Sequence, residues 1–142
     1  HVQPRSVATV KYLEKWAESL LAAPSLSHSK VVRVDGVRDA HLGPRMEVAR
    51  VSFLIEPAAV FEVVTADGVD LSPENERFLT SAIFGLLDVI MLADYCPIRD
   101  IKVTVVALVP DPVSSSQMAF RHAGRDAGRR FMEARHQNEK AT

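Results

Sequence analysis

The sequence contains a single cysteine, Cys96, among 142 residues, so no disulfide can form within it. A lone thiol is typical of proteins in a reducing compartment, and we expect a cytoplasmic protein. The chain has no apolar run near the ~18 residues of a membrane span, and its first residues lack a signal-peptide pattern. Seventeen basic and 18 acidic side chains leave a net charge of −1. No global charge therefore attracts RNA, and an RNA-binding surface would have to be local.

Recognisable motifs for metals, cofactors and nucleotides are also missing. His28, His41 and Cys96 have no metal-ligand spacing, so neither a metal nor a cofactor is expected. No Gly-x-x-x-x-Gly-Lys-Ser/Thr loop is present, which excludes GTP binding of that kind. Ser114–Ser116 precede a helix and have no base tied to them by motif, so we interpret them as a helix cap rather than nucleophiles. His122 is expected to pack rather than to act in catalysis.

The sequence does contain the periodic patterns of several helices and strands, which predict one α+β domain spanning residues 1–142. The predicted order is helix 6–23, strands 31–37, 46–56 and 60–66, helix 73–92, strand 98–108 and helix 115–134, followed by a flexible tail, 135–142. On strand 98–108, the core positions are predicted to be Ile101, Val103, Val105 and Ala107. A loop is predicted over 38–45, with Gly43-Pro44 as the breaker. Ser114 and Gln117 form the capping-box pattern of the last helix.

Helix 73–92 has the clearest signals of any element. Ser72 is placed as its N-cap and Pro73 occupies the favoured first position. Phe84, Val89 and Leu92 lie off its main apolar face, so the helix is expected to be covered on a second side. Helix 6–23 or another copy of the chain could provide that cover, and a homodimer is the favoured expectation.

The segment 97–134 resembles domain IV of translation elongation factor G. The matching residues are Pro97, Asp100, Ile101, Lys102, Val103, Thr104, Val113, Ser115, Ser116, Met118, Ala119, Phe120, Ala123 and Gly124. The resemblance implies a four-stranded sheet with two helices on one face and a left-handed βαβ crossover, against the usual hand. In that alignment 31–134 is the domain-IV-like core, and 6–29 is an added N-terminal helix and connector.

The resemblance is weakest where that family contacts the ribosome. Domain IV reaches the decoding centre with two loops at its tip, which correspond here to 35–45 and 108–114. Asp111 and Ser114 stand where the family has a histidine and an aspartate. Translocase activity is therefore not expected to carry over.

Two functional hypotheses remain open. The first is a free-standing domain-IV-like binding module that contacts the ribosome or structured RNA and has no GTPase activity. Its RNA-binding candidates are Arg38, Arg45, Arg121, Arg125 and Arg129, the last three spaced along one helix face. The same arginines also suit a solvated helix face whose charge complements the dipole.

The second hypothesis is a small enzyme with acid–base chemistry, isomerase- or cyclase-like, or a small-molecule-binding protein on the same scaffold. Its catalytic candidates are Asp39, His41 and Asp111, because a histidine near carboxylates can titrate near neutral pH. Its site would lie in the loops 35–45 and 108–114 or on the open face of the sheet. Loop aspartates and histidines are also common for turn formation alone.

Overall fold

The computed structural model describes residues 30–92, 98 and 100–140, the last five of them by backbone only. The predicted helix 6–23, the Cys96-Pro97 pair and the final two residues lie outside this range. The elements are β1 (Val32–Leu42), β2 (Arg45–Pro57), β3 (Glu62–Thr65), α1 (Pro73–Ile90), β4 (Ile101–Pro110) and α2 (Gln117–Lys140).

The strands form one mixed sheet, and this confirms the predicted α+β fold. The strand order is β1-β2-β4-β3. β1, β2 and β4 pair antiparallel, while β3 and β4 pair parallel across the α1 connection. The apolar residues of α1 and α2 share one core with alternate residues of β1, β2 and β4. The opposite face, here called the open face, carries polar residues such as Arg50, Ser52 and Lys102.

β1 and β2 form a long hairpin where a loop over 38–45 was predicted, so that prediction was wrong. Pairing continues without interruption to Leu42 and Arg45, which leaves only Gly43 and Pro44 as the turn. Gly43 has a φ of 64°, and a positive φ at the first turn position followed by proline is the pattern of a type II′ turn. The charged residues at the end of β1 concealed the strand, although backbone pairing does not require apolar side chains.

A β-bulge changes which residues of β4 face the core. The first three of the four predicted core positions are buried. The register then shifts, because Phe53 pairs with Val105 whereas Ser52 pairs with Ala107. The extra residue on β4 reverses the alternation. Leu108 therefore packs against the core, and the prediction for Ala107 was wrong.

Serine caps begin both helices. The Ser72 hydroxyl accepts the Asn75 N–H at 3.3 Å, as predicted for α1. For α2 the cap is Ser116, whose hydroxyl accepts the Ala119 N–H at 3.0 Å, rather than the predicted Ser114. α1 ends two residues before the predicted Leu92, whereas the backbone of α2 continues to Lys140, through most of the predicted tail.

Glycines allow the two helices to pack closely. A Cβ at Gly85 would overlap the Arg121 carbonyl oxygen, and one at Gly124 would overlap the Ala82 carbonyl oxygen. A Cβ at Gly128 would meet the side chain of Val89. Val89 therefore lies in the helix–helix interface. Of the three residues expected to need cover on a second side of α1, only Phe84 and Leu92 are exposed.

Candidate functional site

The two loops that the resemblance places at one tip do adjoin in this fold. The Val48 N–H donates to the Ser114 carbonyl at 3.1 Å. The Ser115 hydroxyl donates to the Val48 carbonyl at 2.6 Å. These two hydrogen bonds fasten the connection between β4 and α2 to the beginning of β2. We call residues 42–47 and 111–116 together the tip.

Asp111 stabilises the tip loop. Its Oδ1 accepts the backbone N–H groups of Ser114 at 2.9 Å and Val113 at 3.0 Å. These hydrogen bonds, that from Ser114 first, hold the pKa of Asp111 below its ordinary value. The carboxylate is therefore ionised near neutral pH and acts as a turn-forming acceptor.

Asp39 and His41 lie apart from Asp111. They project from β1 on the open face, opposite Val48 and Met46. β2 stands between β1 and the loop that contains Asp111, which corresponds to two inter-strand spacings, or about 10 Å. A gap of that size is too long for direct proton transfer among the three side chains. Their role in catalysis stays a prediction.

Asp35, also on the open face of β1, already has polar partners. Asp35 accepts the Ser52 hydroxyl at 2.6 Å and lies 3.7 Å from the Arg33 Nε. All three side chains are accessible to solvent, so their interactions are weak in energy.

Two of the predicted RNA-binding arginines are engaged by α1. Arg121 binds the Asp88 carboxylate with two hydrogen bonds of 2.9 and 3.0 Å, and Arg125 adds a third of 2.9 Å. The hydrogen bond from Arg121 is the largest effect that lowers the pKa of Asp88, and the bond from Arg125 acts in the same direction against burial. The three side chains join the two helices at their surface.

Glu47 and Arg38 form a shielded ion pair that sequence analysis did not identify. Among the described residues, Glu47 is the one buried charged side chain, with 6% of its surface exposed. The Arg38 Nε donates to its Oε2 at 3.0 Å. A signal was present in the sequence, because Glu47 continues the alternating core positions of β2 two residues before Ala49. A glutamate at a core-facing position of β2 directs its carboxylate toward the helices.

His122 lies among arginines from two elements. Burial is the main cause that lowers its pKa, followed by the positive charges of Arg38, Arg125 and Arg129, while Glu47 opposes them. The neutral imidazole is therefore favoured, in agreement with a packed histidine. We call Arg38, His122, Arg125 and Arg129 the basic cluster.

Two cavities lie near these groups. The tip cavity has a volume of about 380 Å³ and is lined by Pro44, Arg45, Met46, Glu47, Val113, Ser114, Ser115 and Ser116. A groove of about 550 Å³ between the helices is lined by Pro73, Glu76, Arg77, Thr80, Ser81, Phe84, Gln117 and Arg121. The tip cavity is the one that contains a buried charged side chain.

Within the described ranges, no three histidine, cysteine, aspartate or glutamate side chains are grouped so as to hold a metal ion. In the same part of the chain, no helix has the length and apolar character needed to cross a membrane.

The comparisons with known proteins establish the fold alone. No model of a protein family and no curated protein sequence matches the chain. A crystal structure of a protein from Thermus thermophilus matches with a TM-score of 0.57 and 23% sequence identity over 72% of this chain. The matched region is 16% of that protein's length, so this chain spans about a sixth of it. The chain has a fold that also occurs as a small part of a larger bacterial protein.

Proposed function

We propose that the chain is a binding module related to domain IV of elongation factor G, and that it contacts structured RNA, in the ribosome or outside it. The matching residues around Ile101–Thr104 and Ser115–Gly124 support the relationship, and so does a sheet with two helices in the expected order. The likeness to the Thermus thermophilus protein supports the fold and says nothing of function.

The observation on which the RNA proposal depends is the basic cluster. Arg125 and Arg129 follow His122 by three and seven residues and therefore share its face of α2. Arg38 lies with Glu47 on the side of the sheet that faces the helices, and all three arginines lower the pKa of His122. Three of the five predicted RNA-binding arginines thus come from distant parts of the sequence to one surface. Guanidinium groups grouped in this way bind phosphate oxygens.

The ion pairs rank the five arginines that were predicted to bind RNA. Arg121 and Arg125 are already held by Asp88, whereas Arg129 and Arg45 are exposed. Arg38 is oriented by Glu47 and keeps its remaining guanidinium N–H groups. Arg38 and Arg129 are therefore the strongest phosphate contacts in this proposal, and Arg45 contributes to RNA binding at the tip.

The test is a salt titration of binding to ribosomal subunits and to a structured RNA. With three or four phosphate contacts, the log–log slope of affinity against salt should be about −2 to −4, at ~0.7–0.9 per phosphate. Arg129→Gln should make the slope less steep by about one contact, ~0.7–0.9. Arg50→Gln, exposed on the open face of the sheet, is the matched control and should leave the slope unchanged. Absence of binding at low ionic strength, where attraction is greatest, would overturn the proposal.

A second candidate function, a small enzyme or small-molecule-binding protein, is favoured by the tip cavity. Its 380 Å³ lies within the size range of ligand pockets, and serine hydroxyls and charged groups line it. In that case Glu47→Gln and Arg45→Gln, in the lining of the cavity, should abolish turnover or ligand binding, while Arg129→Gln should not. Asp39→Asn and His41→Ala test the alternative site predicted on the open face of the sheet. Ligands can be sought by the increase in melting temperature that they cause.

We also propose a homodimer that forms through the outer face of α1. The support is Phe84, an aromatic side chain that is 53% exposed beside the inter-helix groove.

A further inference from the structure

Two residues of opposite charge line the tip cavity. The Glu47 side chain is only 8% exposed and yet lines the cavity, as does Arg45. A carboxylate has about four lone-pair positions, and the hydrogen bond from Arg38 occupies one of them. A buried carboxylate is stabilised by further hydrogen-bond donors, so a ligand with donors is favoured at Glu47. Arg45 has only hydrogen-bond donors on its guanidinium, so it favours a ligand that also carries hydrogen-bond acceptors.

Among the RNA bases, guanine has both groups next to each other. Its Watson–Crick edge offers two adjacent donors, N1–H and N2–H₂, that match a carboxylate. Its O6 and N7 acceptors match a guanidinium, which is the commonest specific contact to guanine. Adenine and cytosine place a ring-nitrogen acceptor beside their amino group, and uracil has an acceptor on each side of N3–H. Those acceptors would face the negative charge of Glu47.

We propose that the tip cavity receives the base of an unpaired guanosine, with Glu47 accepting its N1–H and N2–H₂ and Arg45 donating to O6 and N7. This inference rests on the proposed RNA-binding function and names the nucleotide that the module reads. Unpaired bases are the usual targets of sequence-specific RNA recognition, because their edges are free.

Arg38 connects this site to the phosphate-binding surface. It donates to Glu47 and also belongs to the basic cluster around His122. A strand whose phosphates contact the cluster therefore passes beside the cavity. Phosphate contacts position the strand and the base contact supplies specificity.

The experiment compares hairpin RNAs that are identical except for one loop nucleotide, at a single low salt concentration. The wild-type protein should bind the guanosine hairpin on the order of 10-fold more tightly than the adenosine, cytidine or uridine hairpins. Inosine, which lacks the N2 amino group, should lose part of that preference.

Glu47→Gln should remove the preference for guanosine while binding to the other hairpins changes little. Glu56→Gln, on the same strand and on the open face, is the matched control and should retain the preference. If Glu47→Gln lowers the melting temperature too far for binding to be measured, Arg45→Gln replaces it. Arg45 is the exposed first residue of β2 and would supply the donors for O6 and N7.

Each failure has a distinct meaning. Equal binding of all four hairpins by the wild-type protein would overturn the guanosine site and leave the proposed RNA binding intact. Preference that survives in both Glu47→Gln and Arg45→Gln would also overturn it. Absence of binding to every hairpin would overturn the proposed function itself. Binding of free GMP without binding of any hairpin would assign the cavity to a mononucleotide and would overturn the RNA form of the proposal.

Discussion

Phe120 lies at the point where α1, α2 and the sheet meet. Its side chain is fully buried, and its ring stacks on that of Phe78 with centroids 4.8 Å apart. Phe120→Ala should lower the free energy of unfolding by about 3–5 kcal/mol, because truncation leaves a cavity as well as losing burial. Val60→Ala, at a position that is 74% exposed and away from both helices, is the control and should cost about 0.5 kcal/mol or less. Urea unfolding measures both, and equal costs would show that the orientation of α2 is wrong.

Asp88 gives the stability of the protein a defined dependence on pH. The Arg121 hydrogen bond, with Arg125, lowers its pKa in the folded chain below the ordinary value of 3.8. The pairing therefore stabilises the fold above the ordinary carboxyl pKa, and the stabilisation is lost as the pH falls through the folded-state pKa. Between pH of about 7 and about 3, the wild-type protein should lose more free energy of unfolding than Asp88→Asn. Parallel curves for the two proteins would contradict this.

At the scale of the element, the contact between α1 and α2 depends on residues without side chains. Gly124→Ala would place its Cβ against the Ala82 carbonyl, and backbone cannot move aside as a flexible side chain can. The helices would separate, at a cost of about 1–3 kcal/mol or more. Gly68→Ala is the control, since a Cβ there meets nothing within 4 Å. A Gly124→Ala variant with the melting temperature of the wild-type protein would show that the helices are further apart than described.

The capping and strand patterns show how far local sequence predicts an element. Ser72 and Pro73 set the start of α1 correctly, because a cap acts through backbone groups of the next turn. The hairpin was missed, since Arg38, Asp39 and His41 resemble loop residues while their backbone pairs with β2. The long partner strand that makes this pairing favourable cannot be read from those residues alone.

At the scale of the whole molecule, the outer face of α1 bears on assembly. Phe84 and Leu92 are each 53% exposed, and they lie on or just after α1. We expect a homodimer by light scattering, and Phe84→Glu should convert it to a monomer because a charge would then be buried at the interface. Arg50→Glu, exposed on the open face of the sheet and away from α1, is the control for an altered surface charge and should leave the dimer intact. A wild-type protein that is monomeric at high concentration would contradict the prediction.

The sequence by itself determined the order of the described elements, the start of α1 and the first core positions of β4, because these follow from local periodicity and capping. Only the tertiary structure decided which charges meet. Arg121 pairs with Asp88 across 33 residues of sequence, and Arg38 reaches Glu47 across the hairpin. Such contacts depend on strand register and helix rotation. A single bulge in β4 is enough to turn Leu108 toward the core in place of Ala107. Asp39, His41 and Asp111 looked equivalent in the sequence, yet a whole strand separates the first two from the third. The tip cavity around Glu47 exists because that geometry brings two distant loops together.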